Sequence, residues 1–191
     1  MNRNKTKMAS NNRPLRRIVT ARSFSGKLSP YLEDYTYQPD LTARLDKLQG
    51  TEFTQNLINE IVLWKVNRYV SLSPALLQQI GHLRLLKPDE HRKGESVLSA
   101  LLECHGVDLA MASTILRFRN PPVFQIIDRH AYRAVYGSNY PLSTKCAASQ
   151  KVSLYFDYLD ALVDLCAAKG LAFETVDRVL YKFDQDQNGK L

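Results

Sequence analysis

Apolar residues recur three and four positions apart along most of the chain, the spacing that places them on one face of an α-helix. We find no alternating strand pattern followed by a hairpin dipeptide, and no internal repeat. The pattern predicts helices over residues 40–48, 52–72, 73–86, 95–106, 109–119, 128–137, 151–170 and 172–184. The sequence therefore predicts an all-α protein with about eight helices.

The charge is distributed unevenly between the start of the chain and the rest. Residues 1–30 hold eight Lys or Arg and no acidic residue, so residues 31–191 carry 18 basic and 19 acidic side chains. A basic opening rich in Asn is typical of a disordered arm that adds salt-sensitive attraction to phosphates, although a solubilising tail fits the same composition. With 45% apolar residues, residues 31–191 are expected to form one domain around one core.

Composition also limits the chemistry that we expect. The three cysteines form no CxxC pair and the four histidines have no metal-ligand spacing, so we expect neither a metal nor a cofactor. No run approaches the roughly 18 apolar residues of a membrane span, and the N-terminus does not resemble a signal peptide. We therefore expect no membrane partner and a cytoplasmic, nucleoid-associated location, or a nuclear one in a eukaryote.

Residues 101–116, LLECHGVDLAMASTIL, predict two helices joined by a tight turn around Gly106. The small residues Ala110, Ala112 and Ser113 would let the second helix pack closely. Such a helix-hairpin-helix, expected over about residues 95–119, presents backbone N–H groups and a helix N-terminus to a phosphate. A plain helical hairpin with a glycine turn fits this segment equally well.

The hairpin is more informative when it is combined with the segment after it. Gly106 and Val107 are followed by the helix 109–119, a loop with two prolines, and Asp128, which lies 22 residues after Gly106 and opens another helix. Over residues 95–137 this order resembles the helix-hairpin-helix GPD superfamily of DNA glycosylases. The resemblance implies a helical domain around a cleft, acting as a monomer on double-stranded DNA with one base extruded. It also implies DNA contacts at Gly106, Val107, Asp108, Ala110, Arg129 and His130.

Two positions depart from that superfamily. Asp108 replaces the second hairpin glycine, which puts a carboxylate near the phosphate-binding turn. Ala110 stands where lyase-type members have a catalytic lysine, so a Schiff base from this position is excluded. The resemblance then implies a monofunctional glycosylase that uses water. A non-catalytic DNA-binding or protein-interaction module on the same scaffold is the alternative from another class.

Lys65 is a second candidate for the missing lysine. In a helix over 52–72, its phase places it among Ile58, Ile61 and Val62, opposite the polar face. We therefore expect Lys65 to be buried or to line a cleft near Asp128, as the nucleophile of a bifunctional glycosylase and lyase. A lysine whose stem extends to the surface fits the same phase.

Asp128 is the principal catalytic candidate. As the N-cap of the helix 129–136 it would accept hydrogen bonds from the first N–H groups, which keeps the carboxylate ionised and fixed. An ionised carboxylate is suited to stabilise the oxocarbenium-like sugar as the base departs and to orient water. Trp64, Tyr69 and Tyr132 are candidates to stack on the extruded base, although aromatic residues at helical spacing more often belong to a core.

Overall fold

The computed structural model describes residue 21 and residues 24–33, 36–48, 53–67 and 69–191. The chain separates into two units, Met1–Thr51 and Glu52–Leu191. The basic arm predicted over residues 1–30 lies largely outside the described residues. The division falls at residue 51, some way after the boundary near residue 30 that the charge distribution indicated.

All regular structure in the described residues is helical, which confirms the all-α prediction. The first unit contains α1, Pro39–Leu45. The second contains α2 (Gln55–Lys65), α3 (Pro74–His82), α4 (Glu95–Leu102), α5 (Leu109–Arg119), α6 (Arg129–Tyr136), α7 (Ala148–Lys169) and α8 (Val176–Asn188). Short 3-10 helices lie at Ser29–Leu32, Leu83–Leu85, His91–Gly94 and Phe173–Thr175. None of the described helices is long and apolar enough to cross a membrane.

Local sequence signals account for several helix ends. The Ser73 hydroxyl accepts a hydrogen bond from the Leu76 N–H at 3.2 Å, with Pro74 in the first helical position of α3. Gly137 and Gly170 end α6 and α7 in the left-handed region, at φ values of 65° and 64°. A side chain would be strained there, so glycine is favoured at both positions.

Several helices end earlier than predicted, and two of these differences affect the site. The helix predicted over residues 52–72 ends at Lys65, and Asn67 follows in the left-handed region at φ 54°. Asn adopts that region more readily than most residues, so it ends an apolar pattern that continues beyond it. The helix predicted over 95–106 ends at Leu102, which makes the connection to α5 longer than the tight turn expected around Gly106.

The core of the second unit lies between α4, α5 and α7, and α6 packs chiefly against α8. Its fully buried side chains are aromatic and leucine-rich, as expected when helices bury one apolar face each. They include Leu98, Leu101, Leu109, Leu116, Phe124, Ile127, Tyr155, Phe156, Tyr158, Leu159 and Leu162. The same core holds the segment between α5 and α6, and so determines where Asp128 lies.

Candidate active site

The segment 125–127 leads directly to Asp128 and is held by three buried side chains. The Tyr155 hydroxyl donates to the Gln125 carbonyl and the Tyr158 hydroxyl donates to the Ile126 carbonyl, both at 3.0 Å. The Ile127 N–H donates to the Ser113 hydroxyl of α5 at 3.2 Å. Buried backbone groups are costly to leave unpaired. These three bonds therefore fix the backbone that carries Asp128.

Burial keeps the two tyrosines in the form that can donate. It raises the pKa of Tyr155, and it raises the pKa of Tyr158 well above the ordinary value, with the charge of Asp128 as the next cause. Both hydroxyls remain protonated at neutral pH.

Asp128 caps α6, as the sequence predicts. Its Oδ1 accepts a hydrogen bond from the Ala131 N–H at 2.7 Å, and its backbone is extended, at φ −132°. Within the described residues no donor reaches Oδ2, and no Lys, Arg or His lies within ion-pair distance of this carboxylate. The side chain is half-buried. One oxygen is therefore committed to the helix, and the second has no partner in the described chain.

A cavity of about 400 Å³ adjoins Asp128, within the range of about 300–1,000 Å³ that is common for small-molecule sites. Three segments of the second unit line it. They are Asp108 and Ala110 at the start of α5, Ile127 to Arg129 at the start of α6, and Tyr140, Leu142, Ser143 and Thr144 of the loop before α7. The hairpin and Asp128, which is 22 residues after Gly106 in the sequence, thus share one cavity.

Asp108 belongs to the same cavity but has a different environment from Asp128. Its Oδ1 accepts from the Leu109 N–H at 2.7 Å and lies 2.8 Å from the Nζ of Lys151 in α7. Burial favours a higher pKa for Asp108, but hydrogen bonds from Lys151 and Leu109, together with the Lys151 charge, outweigh it and lower the pKa. Asp108 is therefore ionised and charge-compensated.

The loop before α7 contributes Tyr140 to the cavity wall. Burial raises the pKa of Tyr140 to about 12, with smaller contributions from Asp108, Cys146 and Tyr132. Its phenol is neutral at physiological pH and can donate or accept a hydrogen bond. The ring packs edge-to-face on Tyr132, with centroids 5.5 Å apart. Tyr140, rather than Tyr132, is the aromatic residue that faces this cavity.

The hairpin turn exposes backbone donors next to the cavity. Gly106 is exposed, with φ 79°, and Val107 is buried and donates its N–H to the Cys104 carbonyl at 3.1 Å. The N–H groups of Gly106, Asp108 and Ala110 have no acceptor within the described residues. The predicted phosphate contacts at Gly106, Asp108 and Ala110 are thus compatible with this geometry, whereas the Val107 side chain and N–H are already engaged in the fold.

Lys65 is exposed, and α2 has no buried residue. The prediction that Lys65 points inward is therefore wrong, because it assumed that the apolar face of α2 is buried. Lys65 is not among the described residues that line the cavity with Asp128. Trp64 and Tyr69 are half-buried, and they are not among the described residues that line this cavity either.

Two further predicted residues have structural partners away from the cavity. Tyr132 is buried in the core and packs against Tyr136, with ring centroids 4.5 Å apart, so it is not placed to stack on a base. His130 is directed towards α8, where its Nδ1 lies 2.7 Å from Asp184 Oδ2. Of the two predicted DNA contacts on α6, only Arg129 lines the cavity, and it is exposed.

Sequence reasoning missed Lys151 and Tyr140. Lys151 is buried near the start of α7, on the same face of the helix as the buried residues Tyr155, Leu159 and Leu162. Helical phase, the signal that misplaced Lys65, would have found it, because α7 has an extended buried face and α2 has none. Tyr140 lies in a loop without periodicity, so no comparable signal pointed to it.

Comparison with protein-family models finds no match, and comparisons with curated proteins and with solved structures find no significant match. Within the described residues, no group of three or more His, Cys, Asp or Glu side chains is arranged to hold a metal ion. Functional inference therefore depends on the cavity itself.

Proposed function

We propose that this protein is a DNA N-glycosylase that excises an extruded damaged or modified base, with Asp128 as the catalytic carboxylate. The observation that carries the proposal is the placement of Asp128, with an unpartnered Oδ2, on the same cavity as the hairpin residues Asp108 and Ala110. Asp108 and Asp128 cap two different helices, α5 and α6, and the fold brings both to this cavity.

The geometry supports a definite role for each side of the cavity. The hairpin offers the N–H groups of Gly106, Asp108 and Ala110 to a DNA phosphate without using basic side chains. Asp128 lines the same cavity on a backbone fixed by Ser113, Tyr155 and Tyr158, so its carboxylate is pre-oriented before substrate arrives. The volume of about 400 Å³ accommodates a ligand the size of a nucleoside.

The proposed reaction is hydrolysis of one N-glycosidic bond. The C1′–N bond breaks and its electron pair leaves with the base, which takes up a proton, while positive charge develops on the sugar. Asp128 stabilises that charge and orients a water molecule, whose oxygen forms the new bond to C1′ and whose proton passes to the carboxylate or to solvent. Ala110 has no amine, so no covalent intermediate forms at that position.

A non-catalytic DNA-binding module on the same scaffold is the second candidate. Asp108 favours it, because a carboxylate at the hairpin competes with a phosphate for the start of α5. The position of Asp128 on the cavity favours the enzyme, because a residue that served only as a cap would not need a cavity beside it. The two candidates differ in whether base release follows binding.

The decisive experiment is an excision screen over duplexes that each contain one modified base, such as uracil, hypoxanthine, 8-oxoguanine or 3-methyladenine. Single-turnover rates are compared for the wild type, Asp128→Asn and the control Asp186→Asn, an exposed α8 aspartate paired with Lys182. We expect Asp128→Asn to lower the rate on the preferred duplex by a factor on the order of a hundred, with binding retained. Equal rates for all three proteins would remove Asp128 from the mechanism.

A gain-of-function variant tests the same cavity from the opposite wall. Ala110 is exposed and lines the cavity with Asp128, so Ala110→Lys places an amine where lyase-type glycosylases carry theirs. We expect this variant to form a borohydride-trappable adduct with DNA containing an abasic site, at a rate clearly above that of the wild type. No adduct above that background would mean that the sugar does not reach this wall.

A further inference from the structure

The two carboxylates of the cavity differ in how their charges are balanced. Asp128 has no cation within ion-pair distance in the described part of the chain, whereas Asp108 lies 2.8 Å from Lys151 Nζ. Lys151 is buried, with 8% of its surface exposed, and a buried charge of this kind normally requires a partner. The ammonium is therefore the buried member of the pair and requires Asp108, whose own side chain is 44% exposed.

Lys151 also contacts a second segment that lines the cavity. Its Nζ donates to the Thr144 carbonyl at 3.1 Å, and Thr144 and Asp108 both line the cavity. One ammonium thus joins the loop before α7 to the start of α5. It balances one charge and fixes the distance between two walls.

We propose that Lys151 is a positioning residue of this site: it neutralises Asp108 and holds the Thr144 carbonyl, so that DNA phosphate can approach the hairpin and Asp128 alone presents a free carboxylate. The inference rests on the proposed function. It also resolves the apparent conflict between Asp108 and a phosphate-binding turn, since a paired carboxylate repels a phosphate much less than an isolated one.

Other ionisable groups around Asp108 do not supply this compensation. Tyr140 is neutral because burial raises its pKa to about 12. Cys146 lies close enough to respond to both Lys151 and Asp108, but hydrogen bonds from the Ser143 N–H and hydroxyl chiefly lower its pKa, and a thiolate would add negative charge. Arg129 lines the cavity, yet it is exposed and makes no ion pair with Asp108. Lys151 is therefore the cation that acts on Asp108.

A four-protein cycle tests the inference with the full chain: wild type, Lys151→Met, Asp108→Asn and the double variant. Binding is measured by anisotropy with a duplex containing a tetrahydrofuran analogue of an abasic site. We expect Lys151→Met to weaken binding by roughly tenfold, because Asp108 is left uncompensated beside the phosphate. Asp108→Asn in the same protein should restore binding to within about threefold of Asp108→Asn alone, since Asn caps as well as Asp.

The rescue separates positioning from simple anchoring. If Lys151 only anchors the loop through Thr144, the double variant will bind as weakly as Lys151→Met, and that result overturns the inference. A carbon-detected NMR titration of the Asp108 carboxyl provides a readout without DNA. Lys151→Met should raise its pKa, because burial then acts unopposed by the ammonium.

The two proposals fail in different ways. A wild-type protein that binds none of the duplexes counts against the proposed function. An Asp108 titration that Lys151→Met leaves unchanged overturns the inference about Lys151, whatever the DNA result. Melting temperatures of all four proteins verify that each variant is folded at the temperature of the assay.

Discussion

Two aspartates associated with α6 have opposite environments. The carboxylate of Asp128, at the N-terminus of the helix, accepts a hydrogen bond from the Ala131 N–H, and the residue is half-buried and lines a cavity. Asp184 of α8 contacts His130 and Arg133 of α6, and its side chain is fully buried. Its carboxylate accepts hydrogen bonds from His130 at 2.7 Å, from Arg133 at 2.8 to 3.1 Å and from Asn188 at 2.8 Å.

The difference separates a structural carboxylate from one that is available for chemistry. Both oxygens of Asp184 are engaged inside the protein, and the Arg133 hydrogen bonds chiefly hold its pKa well below the ordinary range. Such a group joins two helices and has nothing left for a ligand. In the part of the chain that the structure describes, Oδ2 of Asp128 has no hydrogen-bond partner, and the backbone that carries Asp128 is held by Ser113, Tyr155 and Tyr158. The same residue type therefore serves packing in one place and, by our proposal, catalysis in the other.

Asp184→Ala should produce the largest loss of stability. It removes the carboxylate and leaves Arg133 and His130 without their buried partner, so the free energy of unfolding should fall by about 3–5 kcal/mol. Asp186 forms an exposed ion pair with Lys182 on the same helix. The control Asp186→Ala should therefore change the free energy of unfolding by less than about 1 kcal/mol. Urea denaturation measures both. Similar losses for the two variants would contradict a special role for Asp184.

Acid should remove part of the same stabilisation. Because the folded-state pKa of Asp184 is lowered, its contribution is fully present above the unfolded-state pKa of about 4, and is lost as pH falls towards the folded-state pKa. Unfolding free energies measured between neutral pH and about pH 2 should therefore decline less steeply for Asp184→Asn than for the wild type. Parallel curves would show that the Asp184 carboxylate is not linked to stability.

Helix boundaries near the site were predictable because their signals are local. The helices predicted over 109–119 and 129–136 have the observed bounds of α5 and α6. Asp108 and Asp128 cap their starts and Gly137 ends α6, and each of these preferences depends on the backbone of that position alone. The predicted end of α2 was wrong because the chain adopts the left-handed region at Asn67, although the apolar pattern continues past that residue.

The composition of the cavity was only partly predictable, because its contacts are tertiary. Asp108, Ala110 and Asp128 were identified through the hairpin motif and the resemblance to the glycosylases. Tyr140 reaches the same cavity from a loop, and Lys151 of α7 contacts the cavity residue Asp108. Periodicity gives the phase of a lysine on its helix but does not say whether that helix has a buried face. Lys65 and Lys151 differ in that respect, and one is exposed while the other is buried.

Asp128→Asn should have a small effect on stability, in contrast to Asp184. Asn is about as good an N-cap as Asp, so the amide oxygen can still accept from the Ala131 N–H, and the free energy of unfolding should change by well under about 1 kcal/mol. Asp128→Ala, which removes the cap, should cost about 1 kcal/mol. A loss of several kcal/mol for Asp128→Asn would place Asp128 with Asp184 among the structural carboxylates, and any loss of excision would then reflect unfolding.

Lys65→Ala should have the smallest effect of all. Lys65 is exposed on a helix without buried residues, so truncation removes no packed group and should change the free energy of unfolding by less than about 0.5 kcal/mol. Because Lys65 does not line the described wall of the cavity, excision rates and borohydride trapping should match those of the wild type. If the wild type forms an adduct and Lys65→Ala does not, Lys65 is the nucleophile of a bifunctional enzyme. The Asp128 carboxylate would then assist a covalent mechanism rather than direct attack by water.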